Sequence, residues 1–188
     1  SVTSAAPSAP HATRLPATLA TIPVQPVDTA PKLRPFPSWN QNTGKNEMER
    51  IPFPTDVVNP NTTYLNDLVV DNRDGDYAYI TDNSAVDPGI IVFRRSDKKS
   101  WKVRDTQSMS SVAEATFFRI NGTTVNLPVN IDGIALGPQY RNEDGKVDRK
   151  VYYCPLSSFH LYSLNASVLQ NETLAQKGDG ALNITKNI

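Results

Sequence analysis

The sequence predicts an all-β protein with about two four-stranded antiparallel units behind a Pro-rich N-terminal segment. Three observations lead to this prediction. From residue 64 onward, short runs rich in β-branched and aromatic residues alternate with Gly, Asn and Asp, which is typical of strands joined by turns. The pattern occurs twice along the chain. Eleven of the fifteen prolines fall within the first 60 residues, whereas the apolar residues that could build a core are concentrated after about residue 50.

The composition excludes several classes of function. Nineteen basic residues balance nineteen acidic residues, so the formal net charge is zero and no electrostatic attraction to nucleic acid or to an acidic membrane is expected. No apolar run approaches the ~18 residues that a membrane helix needs. Cys154 is the sole cysteine and the histidines are His11 and His160, so we predict neither a disulfide nor a metal site, and we expect no cofactor.

The chain divides into three segments by composition. Residues 1–30 consist mostly of Ala, Thr, Pro, Ser and Val, and we predict that they are disordered because they cannot bury enough apolar surface. Residues 31–63 carry further prolines and the run RPFPSW at 34–39, which predicts an extended arm whose aromatic rings pack on a neighbouring core. Residues 64–188 form the predicted β-domain.

The first unit of this domain contains four predicted strands. Turns rich in Asn, Asp and Gly, or centred on Asp-Pro-Gly, separate them. Since each loop is short, consecutive strands are expected to pair antiparallel as a meander. The predicted strands are 65–70, 77–81, 89–94 and 100–104.

The second unit is similar to the first but ends earlier. Its predicted strands are 131–136, 150–154 and 159–164, and no fourth strand is predicted. One or two helical turns are predicted over 167–174 with Ser167 as N-cap, since Ser side chains accept hydrogen bonds from the free N–H groups of a helix start. We therefore expect the second unit to be incomplete.

The two units place an aspartate at the same point. Asp67 and Asp132 each stand near the start of the first, apolar strand of their unit. Apolar first strands with a polar residue at one end suit a β-propeller, in which those strands line a central channel. The predicted fold class is thus all-β, a partial β-propeller of about two blades. A β-sandwich with the same number of strands remains the alternative, because periodicity does not separate the two folds.

A series of motifs, taken in chain order, resembles the yellow and major royal jelly proteins of insects. Upstream, the segments PFPSW and IPFP match the early part of that family. The motifs of the first unit are DLVVD, YAYITD, IVF and KSWKV, and those of the second unit are DGIALGP, YYCPLSS and SVL. The resemblance covers residues 31–178 and rests on the combination of these motifs and on their order.

This resemblance implies a secreted, extracellular glycoprotein with a six-bladed β-propeller, of which about two blades fit this chain length. By resemblance, the channel holds a small amine or aromatic ligand without a cofactor, and neither nucleic acid nor a membrane is a partner. The biological settings that the resemblance implies are pigmentation, cuticle, saliva or nutrition.

The residues predicted to bind the ligand lie at the start of the two inner strands. Asp67 and Asp132 would pair with a ligand ammonium group through charge-assisted hydrogen bonds, and Asn66 and Tyr64 would supply polar and aromatic contacts. The alternative is that each aspartate binds nearby backbone N–H groups, as aspartates often do at strand ends and turns. Both interpretations stay open at this point.

Two other functions are compatible with the sequence. An isomerase of a melanin pathway, acting on a dopachrome-like substrate, would use acid–base groups such as His160 and Asp132. A structural or storage protein would have no ligand site. We favour a non-enzymatic binding protein and assign no catalytic residue, because no sequence motif of fixed spacing around His160 indicates an acid–base pair.

Five Asn-X-Ser/Thr sequons agree with a secreted protein. Such sequons accept N-linked glycans when a chain passes through the secretory pathway. The candidate glycosylation sites are Asn61, Asn121, Asn165, Asn171 and Asn183.

Overall fold

The computed structural model describes four stretches of the chain, namely residues 37–40, 45–48, 51–73 and 76–187. The segment 1–30, which we predict to be disordered, lies outside these stretches. The division of the chain into three segments stays a prediction.

Part of the predicted arm forms local structure. Strands β1 (Pro37–Asn40) and β2 (Lys45–Met48) pair antiparallel as a hairpin. Further along, Phe53, Val57 and Val58 are buried and pack against one face of the first large sheet. The end of this segment therefore contributes apolar residues to the core.

The first large sheet is a four-stranded antiparallel meander, as predicted. Its strands, in spatial order, are β3 (Leu65–Asp71), β4 (Tyr77–Asp82), β5 (Gly89–Arg94) and β6 (Lys99–Val103). Every residue of β4 is buried, because other residues cover both faces of the sheet. Successive side chains of a strand alternate between its faces, so the tyrosines of β4 join one apolar cluster while Ala78 and Ile80 join the other.

A hairpin that the sequence analysis did not predict lies between the two large sheets in chain order. Strands β7 (Phe117–Ile120) and β8 (Thr123–Asn126) pair around Asn121 and Gly122, whose φ angles are 49° and 82°. Positive φ angles at both central residues are typical of a type I′ turn, for which Asn-Gly is a preferred sequence. The short helix α1 (Thr106–Met109) precedes this hairpin.

The second large sheet also has four strands, so the prediction of an incomplete unit was wrong. In chain order, its strands are β9 (Ile131–Arg141), β10 (Val147–Pro155), β11 (Tyr162–Asn165) and β12 (Thr185–Lys186). They pair as an antiparallel meander in that same order. Because β12 has two residues, it carries no periodic pattern from which a strand could be predicted.

Two short helices cover the stretch for which helical turns were predicted, α2 (Ala166–Gln170) and α3 (Glu172–Ala175). The prediction that Ser167 is the N-cap was wrong, because Ser167 lies inside α2 and its hydroxyl donates to Asp148 Oδ2 at 2.6 Å. Asn171 instead caps α3, since its side chain accepts a hydrogen bond from the backbone N–H of Leu174 at 3.1 Å.

One apolar core joins the two large sheets. Among its members are Tyr79 and Trp101 from the first sheet and Tyr153 and Leu164 from the second. Leu169 of α2 lies in the same core, and its carbonyl accepts a hydrogen bond from the indole N–H of Trp101 at 2.9 Å. Full burial of an apolar side chain of this size stabilises a fold by about 1.5–3 kcal/mol.

The inner strands β3 and β9 lie next to each other where the two sheets meet. The all-β prediction is confirmed. A shared core and adjacent inner strands are what two neighbouring propeller blades would show. In the stretches that the structure describes, the sheets form no closed ring, so their assignment as blades stays an interpretation.

Candidate functional site

A bulge at the start of β3 sets the geometry of the candidate site. The pairing of β3 with β4 shifts register between Leu65 and Leu68, and the two residues in between, Asn66 and Asp67, are both exposed. A bulge changes the direction of side chains that would otherwise alternate between the faces of a sheet. Two successive polar side chains are therefore available at the junction with β9.

The structure brings three of the four predicted ligand-binding residues together across this junction. The side-chain amide of Asn66 donates a short hydrogen bond to Asp132 Oδ1. Asp67 Oδ2 accepts a hydrogen bond from the backbone N–H of Ile134 at 3.1 Å. Thr81, which the sequence analysis did not single out, donates from its hydroxyl to the carbonyl oxygen of Asp132 at 2.7 Å.

The two aspartates differ in how their oxygens are used. Both oxygens of Asp67 accept backbone N–H groups, since Oδ1 binds the N–H of Leu68 at 2.8 Å in addition to the bond from Ile134. Asp132 accepts one side-chain bond, from Asn66, through Oδ1. Among the described residues no hydrogen bond reaches Asp132 Oδ2. Asp67 thus fits the alternative interpretation, in which the aspartate binds nearby backbone N–H groups. Asp132 keeps one carboxylate oxygen available for a ligand.

Burial and a like charge act together on Asp132. Partial burial raises the pKa of its carboxyl group, and the negative charge of Asp67 raises that pKa further. Within residues 51–73 and 76–187, the ion pairs do not include either aspartate. The junction is therefore a site where a cation would relieve an unfavourable charge pair.

A cleft of about 620 Å³ opens beside Asp132. Tyr64 and Asn66 line it together with Asp132, and the ring of Tyr64 is exposed, with 59% of the residue accessible to solvent. The remaining walls combine amide and hydroxyl groups with a few apolar side chains: Asn61, Thr62, Thr63, Asn83, Ala85, Pro128, Val129 and Leu156. This lining offers hydrogen-bonding groups, an aromatic surface and a negative charge.

Asp67 faces a different depression from Asp132. That depression, of about 290 Å³, is almost wholly apolar, with Ile134, Tyr152 and Cys154 among its lining residues. Burial raises the pKa of the Cys154 thiol, which favours the protonated, less reactive form. The two aspartates are therefore neighbours whose carboxylates border separate surfaces.

A buried ion pair holds the wall of the larger cleft. Asp82 Oδ1 accepts hydrogen bonds from the backbone N–H groups of Tyr64 at 2.8 Å and Ser84 at 3.0 Å. The other oxygen of Asp82 binds the ammonium group of Lys102 at 2.7 Å, and both side chains are almost inaccessible to solvent. Lys102 also binds the half-buried carboxylate of Asp87 at 3.0 Å. Sequence reasoning missed this group, although a lysine between Trp101 and Val103 in an apolar strand was a signal for it.

Of the other residues that the sequence analysis weighed, Asn61 lines the cleft and His160 does not. The ring of His160 packs edge-on against Tyr162, with the ring centres 6.0 Å apart. His160 is not among the residues that line either depression. The candidate glycosylation sites are exposed at Asn61, Asn121, Asn171 and Asn183, whereas Asn165 is half-buried and accepts a hydrogen bond from the Tyr140 hydroxyl at 2.8 Å.

The fold and the site define an all-β protein of repeated four-stranded meanders, with a candidate small-molecule cleft where two inner strands meet. The major royal jelly protein family model matches residues 40–186, so the chain belongs to that family, as the order of its motifs predicts.

The chain is also similar to the Yellow-related salivary protein M10 of Phlebotomus duboscqi. The two sequences are 30% identical over 125 residues, which are 66% of this chain and 28% of that protein. The matched region thus spans less than a third of that relative. In the stretches that the structure describes, no helix is both long and apolar enough to cross a membrane.

Proposed function

We propose that this chain is part of a secreted, non-enzymatic protein that binds a small organic amine in the cleft beside Asp132. The observation that supports the proposal most directly is a partly buried carboxylate with one oxygen available and a second carboxylate as neighbour. An ammonium group placed there would form charge-assisted hydrogen bonds, which are about twice as strong as neutral ones.

The lining of the cleft favours an amine that also carries an aromatic ring. The exposed ring of Tyr64 offers a face on which a second ring can stack, and aromatic pairs gain about 0.5–1.5 kcal/mol beyond the area that they bury. Asn66 holds Asp132 in place from β3, so the charged group is oriented before the ligand arrives. Pre-orientation of this kind reduces the entropy lost on binding.

Family membership and the salivary relative support secretion. Sequons on exposed asparagines agree with it. Saliva is therefore the setting that we favour among pigmentation, cuticle, saliva and nutrition.

The proposal is tested by calorimetric titration with 2-phenylethylamine and with its neutral analogue 2-phenylethanol. We expect saturable binding of the amine and at least tenfold weaker binding of the alcohol, since about 1.4 kcal/mol corresponds to a factor of ten. Asp132→Asn should abolish this preference for the amine. Glu143→Gln, which removes an exposed carboxylate from the turn between β9 and β10, is the matched control and should bind as the native chain does.

Two results would replace the proposal with another function. Turnover of dopachrome by the native chain, abolished in Asp132→Asn, would show an isomerase that uses this carboxyl group as an acid or base. The absence of saturable binding to either probe, in a chain that folds cooperatively, would leave a structural or storage protein.

A further inference from the structure

We propose that an N-linked glycan on Asn61 covers the cleft beside Asp132 and limits the entry of ligands. This inference rests on the proposed function for the identity of the ligand. The placement of the glycan itself rests on the structure of the segment around Asn61.

The sequon Asn61-Thr62-Thr63 forms part of the cleft wall. All three residues line the cleft, and Asn61 is exposed to solvent. A glycan attached to the side-chain amide of Asn61 therefore begins at the edge of the space in which Asp132 is accessible.

The other four sequons have a different relation to this cleft, because none of their asparagines is among its lining residues. Asn121 lies at the tip of the β7–β8 hairpin, and Asn171 caps α3. Asn165 is half-buried and engaged by the hydroxyl of Tyr140. The effect on ligand entry is thus specific to Asn61.

A compact turn fixes Asn61 at this edge. The carbonyl oxygen of Asn59 accepts hydrogen bonds from the backbone N–H groups of Thr62 at 3.2 Å and Thr63 at 2.9 Å. The side chain of Asn59 accepts a further bond from the N–H of Asn61 at 2.9 Å. Because Asp82 also binds the N–H of Tyr64, Asn61 and Tyr64 keep a fixed relation to each other.

The chemistry of attachment needs a lipid diphosphate-linked oligosaccharide as donor, which the secretory pathway supplies. The bond between the first sugar carbon and the phosphate oxygen breaks, a bond from that carbon to Nδ2 of Asn61 forms, the nitrogen loses a proton and the lipid diphosphate leaves. The first sugar is then close to the exposed ring of Tyr64, on which the apolar face of a pyranose can stack.

The experiment compares four forms of the chain secreted from insect cells. Thr63→Ala removes the sequon and keeps Asn61, whereas Thr63→Ser keeps both and controls for the lost methyl group. Thr123→Ala removes the sequon of Asn121 on the β7–β8 hairpin and controls for the loss of a glycan elsewhere.

Three measurements are made on each form. Mass spectrometry of glycopeptides reports occupancy at Asn61. The rate at which tetranitromethane nitrates Tyr64 reports whether the cleft is covered, and it requires no ligand. Titration with 2-phenylethylamine reports ligand entry.

We expect Asn61 to be occupied in the native chain, in Thr63→Ser and in Thr123→Ala. Thr63→Ala should show faster nitration of Tyr64 than those three forms. This variant should also bind 2-phenylethylamine about tenfold more tightly than the native chain does, if the glycan of the native chain leaves the cleft open about a tenth of the time.

An unmodified Asn61 in the native chain would overturn the inference, as would nitration of Tyr64 at the same rate with and without the glycan. Failure of the amine to bind any of the four forms would instead remove the proposed function. A difference in the nitration rate of Tyr64 with and without the glycan would then still show that the glycan covers the cleft.

Discussion

The buried ion pair between Lys102 and Asp82 holds the wall of the cleft, and a change at Lys102 tests this role directly. Lys102→Met preserves the length and the apolar part of the side chain while it removes the charge that faces Asp82. The side chain of Asp82 is 0% exposed and that of Lys102 is 1% exposed, so the remaining carboxylate has no access to water. Removing one partner of a buried ion pair destabilises a protein by about 3–5 kcal/mol, and we expect a loss of that size.

Urea unfolding at neutral pH, followed by tryptophan fluorescence and circular dichroism, measures this loss. The midpoint should fall while the dependence of the unfolding free energy on urea stays the same, because the surface exposed on unfolding is unchanged. Lys99→Met, in the same strand, is the matched control. Lys99 is 50% exposed and pairs with Glu172, and exposed pairs contribute less than about 1 kcal/mol.

A second variant separates the uncompensated charge from the packing of the side chain. Asp82→Asn, combined with Lys102→Met, keeps an oxygen for the N–H groups of Tyr64 and Ser84 but carries no charge. The double variant should therefore be more stable than Lys102→Met alone. A loss below about 1 kcal/mol in Lys102→Met, with no gain in the double variant, would refute this account of the wall.

Three further predictions concern stability. Leu169→Ala should lower the unfolding free energy by about 2–5 kcal/mol in urea titrations, because Leu169 is fully buried and the change leaves a cavity beside Trp101; a smaller loss would mean that the site collapses. The hydrogen bond from the side chain of Arg104 lowers the pKa of Asp87 from its usual 3.8 to about 2. Ionised Asp87 therefore stabilises the folded state fully above about pH 4, and this stabilisation is lost as the pH falls from about 4 to about 2. Asp87→Asn should flatten that acid limb in a pH series of thermal melts, and an unchanged limb would contradict the role of Asp87. Gly122→Ala should lower the unfolding free energy by about 1–2 kcal/mol in the same urea assay, because residue 122 has a φ of 82°, which disfavours any residue with a Cβ atom. No atom of the described residues lies close enough to clash with the added methyl group, so the loss would report the backbone conformation alone. An unchanged free energy would show that the turn adopts another conformation.

The first sheet was predictable because short-range sequence patterns indicate both its strands and its turns. The Asp-Pro-Gly turn ends at Gly89, where β5 begins, and short runs of β-branched and aromatic residues mark β4 and β5. The hairpin around Asn121 and Gly122 carried an equally local signal, the Asn-Gly pair, which the sequence analysis treated as a sequon alone.

The elements that escaped prediction depend on contacts between distant parts of the chain. Strand β12 exists because two residues pair with β11, and a pairing of that length leaves no pattern in the sequence. Ser167 is a good N-cap by residue type, but Asp148 of β10 takes its hydroxyl as a donor. Tertiary hydrogen bonds thus override a local preference that is worth about 1 kcal/mol.

The equivalent positions of the two junction aspartates were predictable from the sequence, whereas their role in ligand binding stays a prediction. The repeat placed Asp67 and Asp132 at equivalent positions, and the structure brings both to one junction. The bulge at Asn66, the bond from Thr81 and the ion pair of Lys102 involve partners 14 to 66 residues apart in sequence, which no short motif records.

The difference between the two aspartates decides how variants at the junction can be interpreted. Asp67 accepts a hydrogen bond from the backbone N–H of Ile134 and so holds β9 against β3. Its negative charge also raises the pKa of Asp132. A change at Asp67 therefore alters the junction and the charge together, and a loss of binding in Asp67→Asn would not distinguish them. Asp132 bonds to Asn66 with one oxygen, and Asn at position 132 keeps an oxygen for that bond. Asp132→Asn thus keeps the hydrogen bond across the junction while it removes both the charge and the second acceptor oxygen, so its effect on amine binding reports on the carboxylate rather than on the junction.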